Sequence, residues 1–134
     1  MTVFIDTSAF YALASSSDEF HEKAKEHYRH LLEENVTLFT SSTVLIETMA
    51  LIHRRLGFDL VNDFMKATRR IIRIVWITEE ILENAWHLMA KREDEHISIV
   101  DWTSFVIMRE MKIDRAFAFD DHFRRQGFNI ETAH

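Results

Sequence analysis

The chain has 134 residues, 47% of them hydrophobic, which suits one globular domain with a full core and excludes a disordered segment. It holds no cysteine, so disulfides, thiol catalysis and cysteine-based zinc sites are excluded, and a reducing, cytoplasmic setting is expected. With 22 acidic residues against 16 Lys plus Arg, the net charge of −6 argues against bulk electrostatic binding of nucleic acid, leaving a cation-holding acid cluster or a basic partner.

No basic N-terminal region leads into a long apolar core, so no signal peptide is expected. No apolar run approaches the roughly 20 residues that cross a bilayer, so we expect a soluble protein with no membrane partner. Residues 3–5, Val-Phe-Ile, fit a strand buried on both faces of a parallel sheet. Asp6 follows at its carboxyl end, where open α/β sheets place their ligand sites. A turn or capping role explains Asp6 equally well, with Thr7 or Ser8 able to cap the helix predicted over 9–14.

A loop over 15–18 precedes a polar helix over 19–34, whose apolar residues Phe20, Ala24, Tyr28, Leu31 and Leu32 fall at helical spacing. A second strand is predicted over 36–40 and a helix over 44–56, ended by Gly57. The amphipathic pattern of 58–73 predicts another helix. Residues 74–77 predict a third strand, and Thr78 caps a helix running to about 93. The most apolar helix is expected over 97–112. A short strand over 117–119 then runs into Asp120-Asp121, and a turn over 122–126 leads to an edge strand over 128–130. Strands alternating with helices, without proline or low-complexity linkers, predict one α/β domain over 1–134 with a parallel sheet of four to five strands.

Four acids stand out against this pattern. On its helix Glu47 neighbours Thr43, Val44, Ala50 and Leu51, so its face points inward, where a lone carboxylate costs several kcal/mol unless a cation meets it. Either a structural salt bridge or a ligand role meets that need. Asp101 lies near the start of the most apolar helix; the helix dipole explains its position along the axis but not its apolar face. Asp120 repeats the Asp6 pattern by following a strand, and Asp121 either shares the site or faces solvent. Four carboxylates at the carboxyl edge of one sheet would repel one another unless a hard divalent cation, Mg²⁺ or Mn²⁺, neutralised them. Such a cation also binds phosphate oxygens and activates water, which makes phosphodiester hydrolysis the natural chemistry.

The stretches VFIDTSAF (3–10), TVLIETMA (43–50), SIVDWTSFVIM (98–108) and AFDDHF (118–123) resemble, in order, the motifs of the PIN domain, specifically the VapC-type toxin ribonucleases. The resemblance implies a three-layer α/β/α sandwich and cleavage of single-stranded RNA. It makes Asp6, Glu47 and Asp101 the acidic triad and Asp120 the fourth acid around Mg²⁺ or Mn²⁺. Asp121 stands where the family often has a basic or polar residue, so it either adds a metal ligand beside Asp120 or only adds surface charge. Thr7, Ser8 and Ser104 match supporting hydroxyl positions, and His122 matches a groove position. It further implies a small antitoxin covering the groove, and a homodimer.

Arg69 and Arg73, four apart on one predicted helix face, are either RNA contacts or part of a solvated face. The eight histidines show no zinc spacing, and His27 and His30 are expected on a solvated face. Trp76, Trp86 and Trp102 are expected in the core. A haloacid-dehalogenase-like phosphatase needs a second aspartate two places after the first, where Ser8 stands. A PIN nuclease of RNA maturation, or an idle PIN-like module binding RNA or protein, are the remaining alternatives.

Overall fold

The computed structural model describes residues 1–131. Its sheet consists of β1 (Thr2–Ile5), β2 (Thr37–Ser41), β3 (Arg73–Val75), β4 (Arg115–Phe117) and β5 (Asn129–Glu131). The strand order is β3-β2-β1-β4-β5 and every pairing is parallel. Among the described residues the helices are α1 (Thr7–Ala14), α2 (His21–Glu33), α3 (Ser42–Leu56), α4 (Phe58–Ile71), α5 (Glu79–Arg92), α6 (Ile99–Met111) and α7 (His122–Arg125). This is the expected α/β/α sandwich around a parallel sheet.

The centre of the sheet explains its sequence. Val3, Phe4 and Ile5 are fully buried, as a central strand covered by helices on both faces requires. Helix α6 is buried continuously from Asp101 to Met108, which is why it is apolar all round rather than along one stripe. Its Trp102 and Phe105 meet edge-to-face at 5.4 Å, and Phe105 meets Phe123 the same way at 5.1 Å.

The chain runs outward from β1 through β2 to β3, then returns to place β4 on the other side of β1. The strand order therefore reverses between β1 and β4. Open α/β sheets bind ligands in the crevice that such a reversal leaves beyond the carboxyl ends of the strands. Asp6 and Asp120 follow these two strands.

Several boundaries differ from expectation. Helix α4 stops at Ile71: Ile72 is extended (φ −101°, ψ 131°) and Arg73 opens β3, pairing with Phe39. Arg69 and Arg73 therefore share no helix face; strand pairing by β-branched residues outweighs a helical pattern that continues in the sequence. Strand β4 ends at Phe117, two residues early, because the Phe119 N–H donates to the Ser8 hydroxyl at 2.9 Å instead of joining a ladder. Trp102 is buried, whereas Trp76 and Trp86 are 61% and 58% exposed and lie outside the core. His27 is buried rather than solvated, its ring edge-on to Phe117 at 5.0 Å.

Candidate active site

Asp6 closes β1 and begins α1. In extended backbone (φ −92°, ψ 163°), its Oδ2 accepts from the Ser8 N–H at 3.2 Å and from the Ser8 hydroxyl at 2.8 Å. Asp6, and neither Thr7 nor Ser8, is thus the N-cap of α1. The capping and ligand readings do not compete, because both Ser8 bonds use the same oxygen, Oδ2. Ser8 also holds the Phe119 N–H, so one hydroxyl ties the Asp6 carboxylate to the segment carrying Asp120.

Asp101 enters from the first turn of α6, where its N–H donates to the Ser98 hydroxyl at 3.3 Å. Its Oδ2 lies 2.8 Å from His122 Nδ1. Asp120 accepts the His122 N–H at 3.1 Å and lies 3.7 Å from Nδ1 of the same ring. One donor atom from each of Asp101, Asp120 and His122 falls within 4.8 Å of the others, the spacing a single ion spans.

The electrostatics of this group are unbalanced. Burial, followed by the charges of Asp120 and Asp101, pushes the Asp6 carboxyl well above the usual carboxylate range, although Ser8 pulls it back. Burial and then Asp120 push the Asp101 carboxyl up to about 6, against the opposing pull of His122. Asp6 and Asp101 are 3% and 8% exposed, so water cannot screen them well. Three carboxylates and one imidazole are short of positive charge, and a divalent cation would supply what is missing. The oxygen-rich donor set suits Mg²⁺ or Mn²⁺, with His122 as the one nitrogen.

The other predicted residues divide. Thr7 is buried with its hydroxyl 3.5 Å from that of Thr48, which links α1 to α3. Glu47, the residue before Thr48, is half-buried on α3, a helix that packs on both α1 and α6. It makes no hydrogen bond or ion pair among the described residues and is not one of the charges acting on Asp6 and Asp101. Asp121 turns away from the cluster: its side chain is 60% exposed and pairs with Arg124 at 3.0 Å. Ser104 is buried, but its hydroxyl donates to the Val100 carbonyl of its own helix at 3.1 Å, so it supports α6 rather than the acids. Arg69 and Arg73 are both exposed.

The PIN domain family matches residues 3–129. The chain belongs to the PIN-domain family. It is 34% identical over 127 residues to the 23S rRNA-specific endonuclease VapC20 of Mycobacterium tuberculosis, covering 94% of this chain and 95% of that protein. The crystal structure of VapC20, described as a sarcin-ricin loop cleaving toxin, superposes with a TM-score of 0.85 at 32% identity, covering 94% and 95% of the two chains. Rickettsia felis VapBC2, solved bound to a DNA fragment from its promoter, gives a TM-score of 0.68 over 98% of each chain. At 12% identity that likeness is one of fold. The chain thus groups with the VapC-type PIN domains.

Proposed function

We propose that this chain is a metal-dependent endoribonuclease that hydrolyses phosphodiester bonds of single-stranded RNA, acting as the toxin of a VapBC-type pair. The observation that carries the reading is the convergence of Asp6, Asp101 and Asp120, buried or half-buried, at the β1/β4 crevice with too little positive charge beside them. The likeness to VapC20 supports an RNA substrate and makes 23S rRNA the first target to try.

Asp6, Asp101, Asp120 and His122 would hold Mg²⁺ or Mn²⁺, with Glu47 the further acid from α3. Such an ion supplies Lewis acidity, lowering the pKa of a bound water and neutralising charge that develops on the phosphate. The protein's part is positional. Ser8 fixes Asp6 and the Asp120 segment together, and His122 fixes Asp101 through Nδ1 while its backbone N–H fixes Asp120. Hydrolysis adds water across the P–O3′ bond, leaving a 5′-phosphate and a 3′-hydroxyl.

A small antitoxin covering the groove and a homodimer complete the reading. Leu82 and Trp86, four apart on α5, are 47% and 58% exposed and form an apolar pair on one face.

Incubation with total RNA tests the activity. Discrete fragments with Mg²⁺ or Mn²⁺ that disappear with chelator, and with Asp101→Asn, are expected. Identical fragments from Asp101→Asn would refute the assignment.

A further inference from the structure

A cavity of about 240 Å³ adjoins the acidic cluster. Asp120 forms part of its wall, joined by Phe20 and Lys23 from the start of α2, Phe119 beyond β4, Arg124 of α7 and Ile130 of β5. Phe20 and Phe119 stack with ring centroids 4.7 Å apart and planes 8° apart, and both are half-buried. Lys23 is exposed and makes no ion pair among the described residues. The Arg124 guanidinium is steadied by Asp121 at 3.0 Å.

These are the groups that bind an unpaired nucleotide. Aromatic side chains offer a π surface to any base, and exposed Lys and Arg meet backbone phosphates. Their position matters as much as their type, since Asp120 belongs both to this wall and to the cluster that faces the scissile bond. Neither Phe20 nor Lys23 lies on an element that carries a site acid; α2 brings them to the crevice by packing on α1, with His27 reaching Phe117 of β4.

We propose that this cavity is a nucleotide subsite. It receives the base of an unpaired nucleotide flanking the scissile phosphate against the Phe20–Phe119 pair, with Lys23 and Arg124 on the adjoining phosphates. The inference rests on the endoribonuclease reading above and deepens it. A base enters such a cavity only when it is neither paired nor stacked within a helix, so the subsite selects single-stranded RNA over duplex. Asp121 then has a function as well: it orients Arg124 instead of binding the metal.

The test is steady-state cleavage of a fluorescently labelled single-stranded RNA carrying a site cut by the wild type, across a range of salt. Lys23→Ala, Phe20→Leu and Lys25→Ala are compared; Lys25 is an exposed lysine of α2 outside the cavity. Lys23→Ala is expected to raise KM roughly 10-fold and to lower the salt slope by about 1, as loss of a phosphate contact does. Phe20→Leu keeps an apolar side chain beside Phe119 but removes the π surface, and a KM increase of roughly 5-fold or more is expected. Lys25→Ala should leave KM within about two-fold, since only bulk charge changes. Unchanged KM and salt slope in both cavity variants, with an active wild type, would overturn the subsite while leaving the nuclease intact. Equal effects of Lys23→Ala and Lys25→Ala would overturn it too, by assigning the loss to net charge. A wild type that cuts no RNA in Mg²⁺ or Mn²⁺ would remove the reading beneath it.

Discussion

Asp6 and Asp101 carry the energetic signature of the site. A carboxyl whose pKa is raised by folding holds its proton more tightly in the native chain than in the unfolded one. Between the ordinary aspartate value and the native value, the folded state binds more protons, so stability falls as pH rises. For Asp101, pushed up to about 6, the window runs from near pH 4 to somewhat above pH 6. The loss across it is on the order of 3 kcal/mol. We therefore expect the metal-free chain to melt at a lower temperature at pH 7 than at pH 5, and Asp101→Asn to flatten that trend. Thermal melts in chelator between pH 4.5 and 7.5 check both; a wild type whose melting temperature rises with pH throughout would exclude electrostatic strain at this site.

Individual residues also show what the sequence made legible. Asp6 and Asp101 could be read because an acid that ends an apolar strand, or lies on an apolar helix face, conflicts with its surroundings wherever the chain folds. Asp120 could be read by the same strand-end pattern, but whether Asp121 shares its site could not, since the next residue along lies within the same local stretch. Only the placement of Arg124 and His122 sends one carboxylate to solvent and the other to the cluster. Phe20 and Lys23 carried no signal, because their significance comes from where α2 packs.

At the scale of elements, the junction of β1 and α1 is the keystone. Asp6 caps α1, Ser8 locks that cap, and the same hydroxyl stops β4 by taking the Phe119 N–H. Ser8→Ala removes a charge-assisted bond and strands the Phe119 donor, so a cost of about 1–2 kcal/mol is expected in urea unfolding. It should also weaken metal binding, since the hydroxyl favours the ionised form of Asp6. A variant as stable as wild type would mean that the Ser8 bonds are replaced by water.

At the α4–β3 boundary a distant strand decides the local conformation. The helical pattern of 58–73 is genuine, but Arg73, Ile74 and Val75 gain more by pairing with Phe39, Thr40 and Ser41. That choice depends on a strand more than thirty residues away, and no local window contains it. The core strand and α6 were legible because burial on all sides leaves a continuous apolar run. Trp76 and Trp86 are exposed although the sequence points them to the core, because a large apolar residue reads the same in a core and on the surface.

For the molecule as a whole, the site exists only in the folded chain. Its acids come from the β1–α1 junction, from α6 and from the loop after β4, nearly the full length of the sequence apart. Asp6, Asp101 and Asp120 contribute three of the chain's 22 acids, and a bound cation would offset part of the formal net charge of −6. A ligand that binds only this assembled state must stabilise the entire fold by mass action.

The most direct measurement is therefore the melting temperature of the wild type and of Asp6→Asn as Mn²⁺ is added at pH 7.5. At a free ion concentration about 100 times the dissociation constant, binding adds roughly 2.7 kcal/mol. For a domain of this size that corresponds to a rise on the order of 10 °C. We expect that rise in the wild type and little of it in Asp6→Asn. A wild type indifferent to Mn²⁺, or an Asp6→Asn variant stabilised as strongly as the wild type, would contradict the account of these carboxylates as a metal site.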